Sequence, residues 1–179
     1  MGYINRKDYI KWKCDLYSCL LPNEADGWSM PLPDLYPVLG EEAKDVMLKP
    51  SVETFIDEAS PRQLGEKLAF YYIFRDRGPH FDMLSEDVKK RRTQIMCKKH
   101  RIKYEDDQND PLLYVEDLIS TLIKKGPNIL REIYRRELKK GCREMFSLID
   151  DEVKVEKEIN DLNYEIDVSS GNFYLRRPF

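Results

Sequence analysis

The strongest constraint on the fold comes from residues 115–150, where apolar side chains recur every three or four positions on both sides of a Gly-Pro pair. This period is that of an amphipathic α-helix. Gly126 is a residue type that ends helices, and Pro127 is favoured at the first position of the next helix. The stretch therefore predicts two helices in a hairpin. We expect Gly141 to break the second helix and leave a short third helix at 142–150.

The apolar residues of this stretch are predicted to face a common core, because they share one side of each predicted helix. The predicted inward residues are Val115, Leu118, Ile119, Leu122, Ile123, Ile129, Leu130, Ile133, Tyr134, Leu138, Cys142, Met145, Phe146 and Ile149. Within this set, we expect Leu118, Leu122, Ile133 and Phe146 to be buried together.

Two further helices carry clear start signals. Ser60, followed by proline and then Gln63, forms a capping box, and the helix that it opens should stop at 75–79, "RDRGP". Ser85, followed by two acids, should cap a helix over 86–103. The predicted inward residues of that helix are Val88, Ile95 and Met96, and its predicted solvent-facing residues are Lys89, Arg92, Lys99 and Lys103.

The rest of the chain is less regular, but it is still compatible with an all-α protein. Residues 3–20 predict a helix, whereas the prolines and glycines of 22–50 exclude a long one and allow a short helix at 40–48. Weak strand signals occur at 164–168 and 172–179. The predicted organisation is a helical or irregular annex at 1–59 that either completes the bundle or stands beside it, a helical bundle at 60–150, and an acidic helix and tail at 151–179.

Composition excludes several classes of protein. No apolar run in the 179 residues approaches the roughly 18 residues of a membrane span. Charges scattered through the first residues argue against a signal peptide. The four cysteines lack Cys-x-x-Cys spacing and have only two histidines beside them, so no zinc site is predicted. Free thiols fit a reducing compartment, the cytoplasm or the nucleus.

Charge is distributed very unevenly along the chain. The net charge of −3 is unlike that of a dedicated nucleic-acid-binding domain, which is usually strongly basic. Residues 89–103 nevertheless hold eight lysines and arginines and no acid. Acidic residues are concentrated at 104–110, directly after this segment, and again at 150–167. The chain therefore carries separate patches of opposite sign.

Four segments resemble a caspase recruitment domain, the CARD branch of the death-fold family. "VEDLISTLIKKGP" (115–127), "NILREIYRRELKKG" (128–141) and "CREMFSLID" (142–150) are similar to the fourth, fifth and sixth helices of that family. "DMLSEDVKKRR" (82–92) is similar to its entry into the second or third helix, and the helix from Ser60 would be the first. The resemblance covers about half of the chain and implies a six-helix death-fold-like bundle.

The resemblance implies a non-enzymatic signalling module that binds a protein with a similar domain, which could be a second copy of the chain. In this family a basic face docks on an acidic face. The candidate basic residues are Lys89, Lys90, Arg91, Arg92, Lys98, Lys99, Arg101 and Lys103. The candidate acidic residues are Asp106, Asp107, Asp110, Glu116 and Asp117.

A repeat leaves one variant of this interpretation open. A helix followed by Gly-Pro occurs at 67–81 and again at 115–129, so a compressed tandem of two bundles is an alternative to a single bundle. A tandem would resemble the leader of an innate RNA-sensing helicase. The basic run, with Tyr104 and His100 nearby, could hold RNA phosphates, and an RNA-binding accessory domain is therefore the second function that the sequence suggests.

A third interpretation is a magnesium-dependent nuclease. Pro33-Asp34 with Glu42 and Lys44 fits the loose PD-(D/E)xK pattern, in which carboxylates on adjacent strands hold Mg²⁺. His80 with Asp82 could form an acid–base pair, and Cys97 is either activated by neighbouring cations or buried in the core. The favoured interpretation assigns no catalytic residue, no metal and no cofactor.

Overall fold

The protein is all-helical in the part of the chain that the structure describes. The computed structural model describes residues 3–22 and 40–170, with side chains up to 168, and these residues contain no strand. The helices are α1 (Arg6–Ser18), α2 (Glu41–Met47), α3 (Pro50–Glu58), α4 (Pro61–Arg77), α5 (Glu86–Lys99), α6 (Val115–Ile123), α7 (Pro127–Asp150) and α8 (Glu152–Ser170). Short 3₁₀-helices lie at Phe81–Met83 and Pro111–Tyr114. The predicted all-α class is confirmed. No described helix is both long and apolar enough to cross a membrane.

The predicted starts of α4 and α5 are confirmed by their caps. The Ser60 hydroxyl accepts a hydrogen bond from the Gln63 N–H at 3.1 Å, and the Gln63 side chain accepts one from the Ser60 N–H at 2.9 Å. Helix α4 ends where Gly78 takes a φ of +75°, a value that favours glycine. The Ser85 hydroxyl caps α5 by accepting from the Val88 N–H at 3.4 Å. Local side-chain chemistry thus sets both boundaries.

The predicted break at Gly141 is wrong, because α7 continues through it as one helix of 24 residues. Gly141 is buried, and a Cβ atom at this position would lie 2.6 Å from Met47 Cε and 2.6 Å from Tyr17 Cδ1. Contacts this short are not tolerated between carbon atoms. The glycine therefore lets α1 and α2 approach α7 closely, and the predicted fifth and sixth helices are a single element.

The strand prediction at 164–168 is also wrong, since these residues belong to α8. Val155, Ile159 and Ile166 are buried on one side of this helix at helical spacing, which outweighs the local preference for a strand. The second predicted strand, 172–179, lies outside the described residues.

Helix α3 was not predicted by the sequence analysis. Pro50 occupies its first turn, and Val52, Phe55 and Ile56 are buried on one face. The prolines of 22–50 led to the interpretation of this whole region as irregular, although a proline in the first turn starts a helix as readily as it ends one. The short helix allowed at 40–48 is present as α2, and residues 23–39 lie outside the described part of the chain.

One hydrophobic cluster runs through the described fold, from Ile4 before α1 to Ile166 in α8. Helix α4 lies at its centre and contacts α1, α5, α6 and α7. Residues of this cluster come from all three predicted regions, 1–59, 60–150 and 151–179.

The prediction for the core of the hairpin is mostly right. Leu118, Leu122 and Ile133 are buried, at 0, 2 and 9% exposure. Phe146 and Ile129 were also predicted to be buried, but they are 40% and 49% exposed. For Phe146 the reason is the continuity of α7: without a break at Gly141, the turn that follows presents Met145 and Leu148 to the core and turns Phe146 and Ile149 outward. Ile129 lies in the first turn of α7, where Leu130 takes the buried position.

Candidate interaction surface

Helix α5 packs on α4 through one face and leaves the opposite face free. Val88, Thr93, Met96 and Cys97 are buried. Ile95, which was predicted to face inward, is 53% exposed. Thr93, Met96 and Cys97 follow helical spacing on the buried face of α5, and Ile95 lies to one side of that face.

Part of the predicted basic face is exposed around this isoleucine. Arg91, Ile95 and Lys98 are spaced by four and three residues, which places them on one side of α5, and all three are exposed. Arg101 and Lys103, beyond the end of the helix, are exposed as well, whereas Lys90 is half-buried. No ion pair within the described residues involves Arg91, Lys98, Arg101 or Lys103. We define Arg91, Ile95, Lys98, Arg101 and Lys103 as the basic surface.

The end of α5 presents Arg101 in an unusual backbone conformation. The helix was predicted to reach residue 103, but it ends at Lys99. The Ile102 N–H donates to the Cys97 carbonyl at 2.8 Å and the Arg101 N–H to the Lys98 carbonyl at 3.3 Å, which is the pattern of a Schellman motif. Arg101 has a φ of +58° in the position that glycine usually occupies. A left-handed conformation costs a residue with a side chain roughly 1–2 kcal/mol.

Three of the eight predicted basic residues bind partners within the chain, contrary to the prediction that they face solvent freely. The pairs are Lys89–Glu86 at 3.8 Å, Arg92–Glu165 at 2.6 Å and Lys99–Asp76 at 3.5 Å between nitrogen and oxygen. The Arg92 side chain is only 14% exposed. Arg92 joins α5 to α8 and Lys99 joins α5 to α4, whereas the Lys89 pair lies within α5. Lys99 nevertheless keeps 48% of its side chain exposed.

The acidic loop after α5 is folded over a pair of tyrosines. The rings of Tyr104 and Tyr114 stack with centroids 6.4 Å apart. The Tyr104 hydroxyl donates to the Gln108 carbonyl at 2.7 Å, which closes the loop. Asp106 and Asp107 lie within this closed segment with exposed side chains. The loop therefore has its own anchors, and its two aspartates project to solvent.

Like the basic residues, the remaining predicted acidic residues include some that form ion pairs within the chain and one that does not. Asp110 pairs with Arg77 at 3.1 Å and caps the 3₁₀-helix that follows it. Glu116 pairs with Arg62 at 3.2 Å. Asp117 is exposed and forms no ion pair within the described residues. We define Asp106, Asp107 and Asp117 as the acidic surface.

The two reactive groups suggested by the sequence, the Cys97 thiol and the His80–Asp82 pair, are not supported by the structure. Burial raises the pKa of the Cys97 thiol to about 11, so the thiol is protonated at neutral pH, and Cys97 belongs to the core. His80 Nε2 lies 3.8 Å from Asp8 Oδ2, and Asp82 pairs with Arg77 at 3.6 Å. The structure therefore favours the buried-cysteine alternative.

The nuclease pattern is placed on the wrong type of element for its chemistry. Glu42 and Lys44 are exposed residues of the short helix α2 and do not lie on a strand. Asp34 lies outside the described residues. Among the residues that the structure describes, no group of three or more histidines, cysteines and acids is placed to hold a metal ion.

Comparison of the chain with models of protein families, with curated proteins and with solved structures finds no significant match. The resemblance to a caspase recruitment domain therefore rests on the sequence segments alone and stays a prediction.

Proposed function

We propose that this protein is a non-enzymatic signalling module of the caspase recruitment type, which associates with a second copy of itself or with a protein that carries a similar helical domain. The observation that carries the proposal is the basic surface. Its four cations form no ion pair among the described residues, and they lie together with the exposed Ile95. The acidic surface of another copy offers the complementary charge.

The composition of the basic surface supports this use. Protein interfaces place an apolar residue at the centre of a polar rim, and a small number of central residues supplies most of the binding free energy. Complementary charges add specificity and speed the encounter of the two partners. Arg101 also has a left-handed backbone conformation, which costs arginine more conformational free energy than it would cost glycine. Such backbone strain is common where a side chain serves a function.

Reversing two charges on the basic surface tests the proposal. Arg91→Glu combined with Lys98→Glu should leave the melting temperature nearly unchanged, because surface substitutions usually alter stability by less than about 0.5 kcal/mol. The same pair should abolish self-association in sedimentation velocity at low salt, because like charges then meet across the interface. Association of the wild type should also weaken as ionic strength rises.

The control has the same change of charge at two lysines that are not members of the basic surface. Lys124→Glu with Lys125→Glu alters two exposed lysines at the end of α6 and should leave self-association intact. A wild-type chain that remains monomeric at low salt contradicts self-association, and an α5 variant that associates like the wild type contradicts the assignment of the basic surface to the interface.

RNA binding is the second candidate, because the same exposed cations could contact phosphates. In that case the α5 reversal weakens affinity for every RNA sequence and reduces the dependence of affinity on salt. Fluorescence anisotropy with a labelled oligouridine measures both effects. The neighbouring acidic surface repels a polyanion, which is why we favour a protein partner.

A further inference from the structure

A second surface, separate from the basic surface, lies between α2 and α7. The close approach of these helices at Gly141 leaves an open groove of about 510 Å³ beside it. Leu48 enters the groove from the end of α2, and Cys142 and Phe146 enter it from α7. The volume is within the range of roughly 300–1,000 Å³ that is typical of ligand sites. None of the residues that line the groove belongs to the basic surface.

The lining of the groove includes large apolar side chains that are accessible. Leu48 and Phe146 are each 40% exposed, although both are large hydrophobic residues. Ile149 follows Phe146 by one turn and is 53% exposed. The Cδ1 atom of Ile149 lies close to Gly40, since a Cβ atom on that glycine would be only 2.7 Å from it. Isolated exposed hydrophobic residues are ordinary, but a contiguous group indicates a binding site.

The walls of the groove are cationic on both sides. Lys44 projects from α2, and Lys139 and Arg143 project from α7 one turn apart. All three are exposed, and none forms an ion pair with another residue in the described ranges. Glu41 is the one acid among the described residues of the lining. An occupant that contributes carboxylates would therefore supply partners that the described residues do not provide.

We propose that this groove binds a short acidic segment of a partner protein that carries a bulky apolar side chain between its carboxylates. The apolar side chain packs between Leu48 and Phe146, and the flanking carboxylates pair with Lys44, Lys139 and Arg143. Cations on two separate helices match several carboxylates better than the single headgroup of a small amphiphile. The apolar base matches a hydrophobic side chain better than a phosphate backbone.

Fluorescence anisotropy with the full chain tests this site. The probe is a fluorescein-labelled synthetic peptide in which two adjacent leucines are flanked on both sides by glutamates. Lys44→Glu with Arg143→Glu should weaken its binding by at least about tenfold, because like charges then oppose each other at the contact. Lys124→Glu with Lys125→Glu, a matched reversal outside the groove, should change binding by less than about twofold, since exposed charges away from a contact are screened.

Two altered peptides separate the contributions of the groove. Replacing the leucines by alanine removes the anchor, and replacing the glutamates by glutamine removes the charges, so each change should weaken binding to the wild-type chain. Equal binding of the alanine peptide would show that only charge is recognised and overturns the proposal. So does the absence of saturable binding, or equal affinity of the groove variant and the wild type.

The other occupants give distinct results. If Lys44→Glu with Arg143→Glu lowers the sedimentation coefficient of the chain alone, the groove is an interface between copies and the partner segment is ruled out. If an oligouridine displaces the peptide and loses its own affinity in the groove variant, the ligand is a nucleic acid and the proposal fails. Arg91→Glu with Lys98→Glu should leave peptide binding unchanged, so failure of the proposed function can be told apart from failure of this site.

Discussion

Arg92→Glu should destabilise the protein by about 3 kcal/mol, because it places a carboxylate against a partly buried carboxylate. The Arg92 guanidinium joins α5 to α8 through two hydrogen bonds to Glu165, at 3.3 Å and 2.6 Å, and it also donates to the Arg77 carbonyl. The Arg92 side chain is 14% exposed and that of Glu165 is 33% exposed, so solvent screens the pair only in part. Urea unfolding measures the loss of free energy.

Arg91→Glu is the matched control, since it makes the same change at the neighbouring, exposed position. We expect its effect to stay within about 0.5 kcal/mol. The exchange Arg92→Glu with Glu165→Arg should recover part of the lost stability, because the attraction between the two side chains is restored. Equal unfolding midpoints for the Arg91 and Arg92 variants would contradict the assignment of Arg92 to the link between α5 and α8.

Leu122→Ala should cost about 2–5 kcal/mol, the usual range when a buried leucine is truncated and a cavity remains. Leu122 is 2% exposed and belongs to the hydrophobic core to which α6 contributes. The measurement is the free energy of unfolding in urea. Leu113→Ala removes the same atoms from a side chain that is 58% exposed, and it should have a much smaller effect. Similar losses for the two variants would show that Leu122 is not packed in the core as described.

The features that the sequence predicted correctly depend on residues close together in the chain. The capping box at Ser60 and the cap at Ser85 involve residues three positions apart, and α6 follows from the spacing of its apolar residues. Gly141 illustrates the opposite case. A glycine can break a helix or allow a close approach, and only the positions of Tyr17 and Met47, far away in sequence, decide between the two.

The same limit applies to the candidate surface. The run of cations was evident from the sequence, but Glu165, the partner of Arg92, is 73 residues away, and no local pattern connects them. The inward assignment of Ile95 was wrong because the buried face of α5 is formed by Thr93, Met96 and Cys97, and the sequence alone did not show which side of the helix α4 covers. The groove between α2 and α7 could not be predicted, since it forms where helices distant in sequence meet.

The most direct test of opposite-surface association is a mixing experiment followed by sedimentation velocity at low salt. One variant carries Arg91→Glu with Lys98→Glu and keeps its acidic surface. The other carries Asp106→Lys with Asp107→Lys and keeps its basic surface. Each variant alone places like charges across the interface, whereas the mixture restores one native contact between opposite charges. The proposal predicts that each variant is monomeric alone and that the mixture associates. A mixture that remains monomeric, or single variants that associate like the wild type, would contradict it.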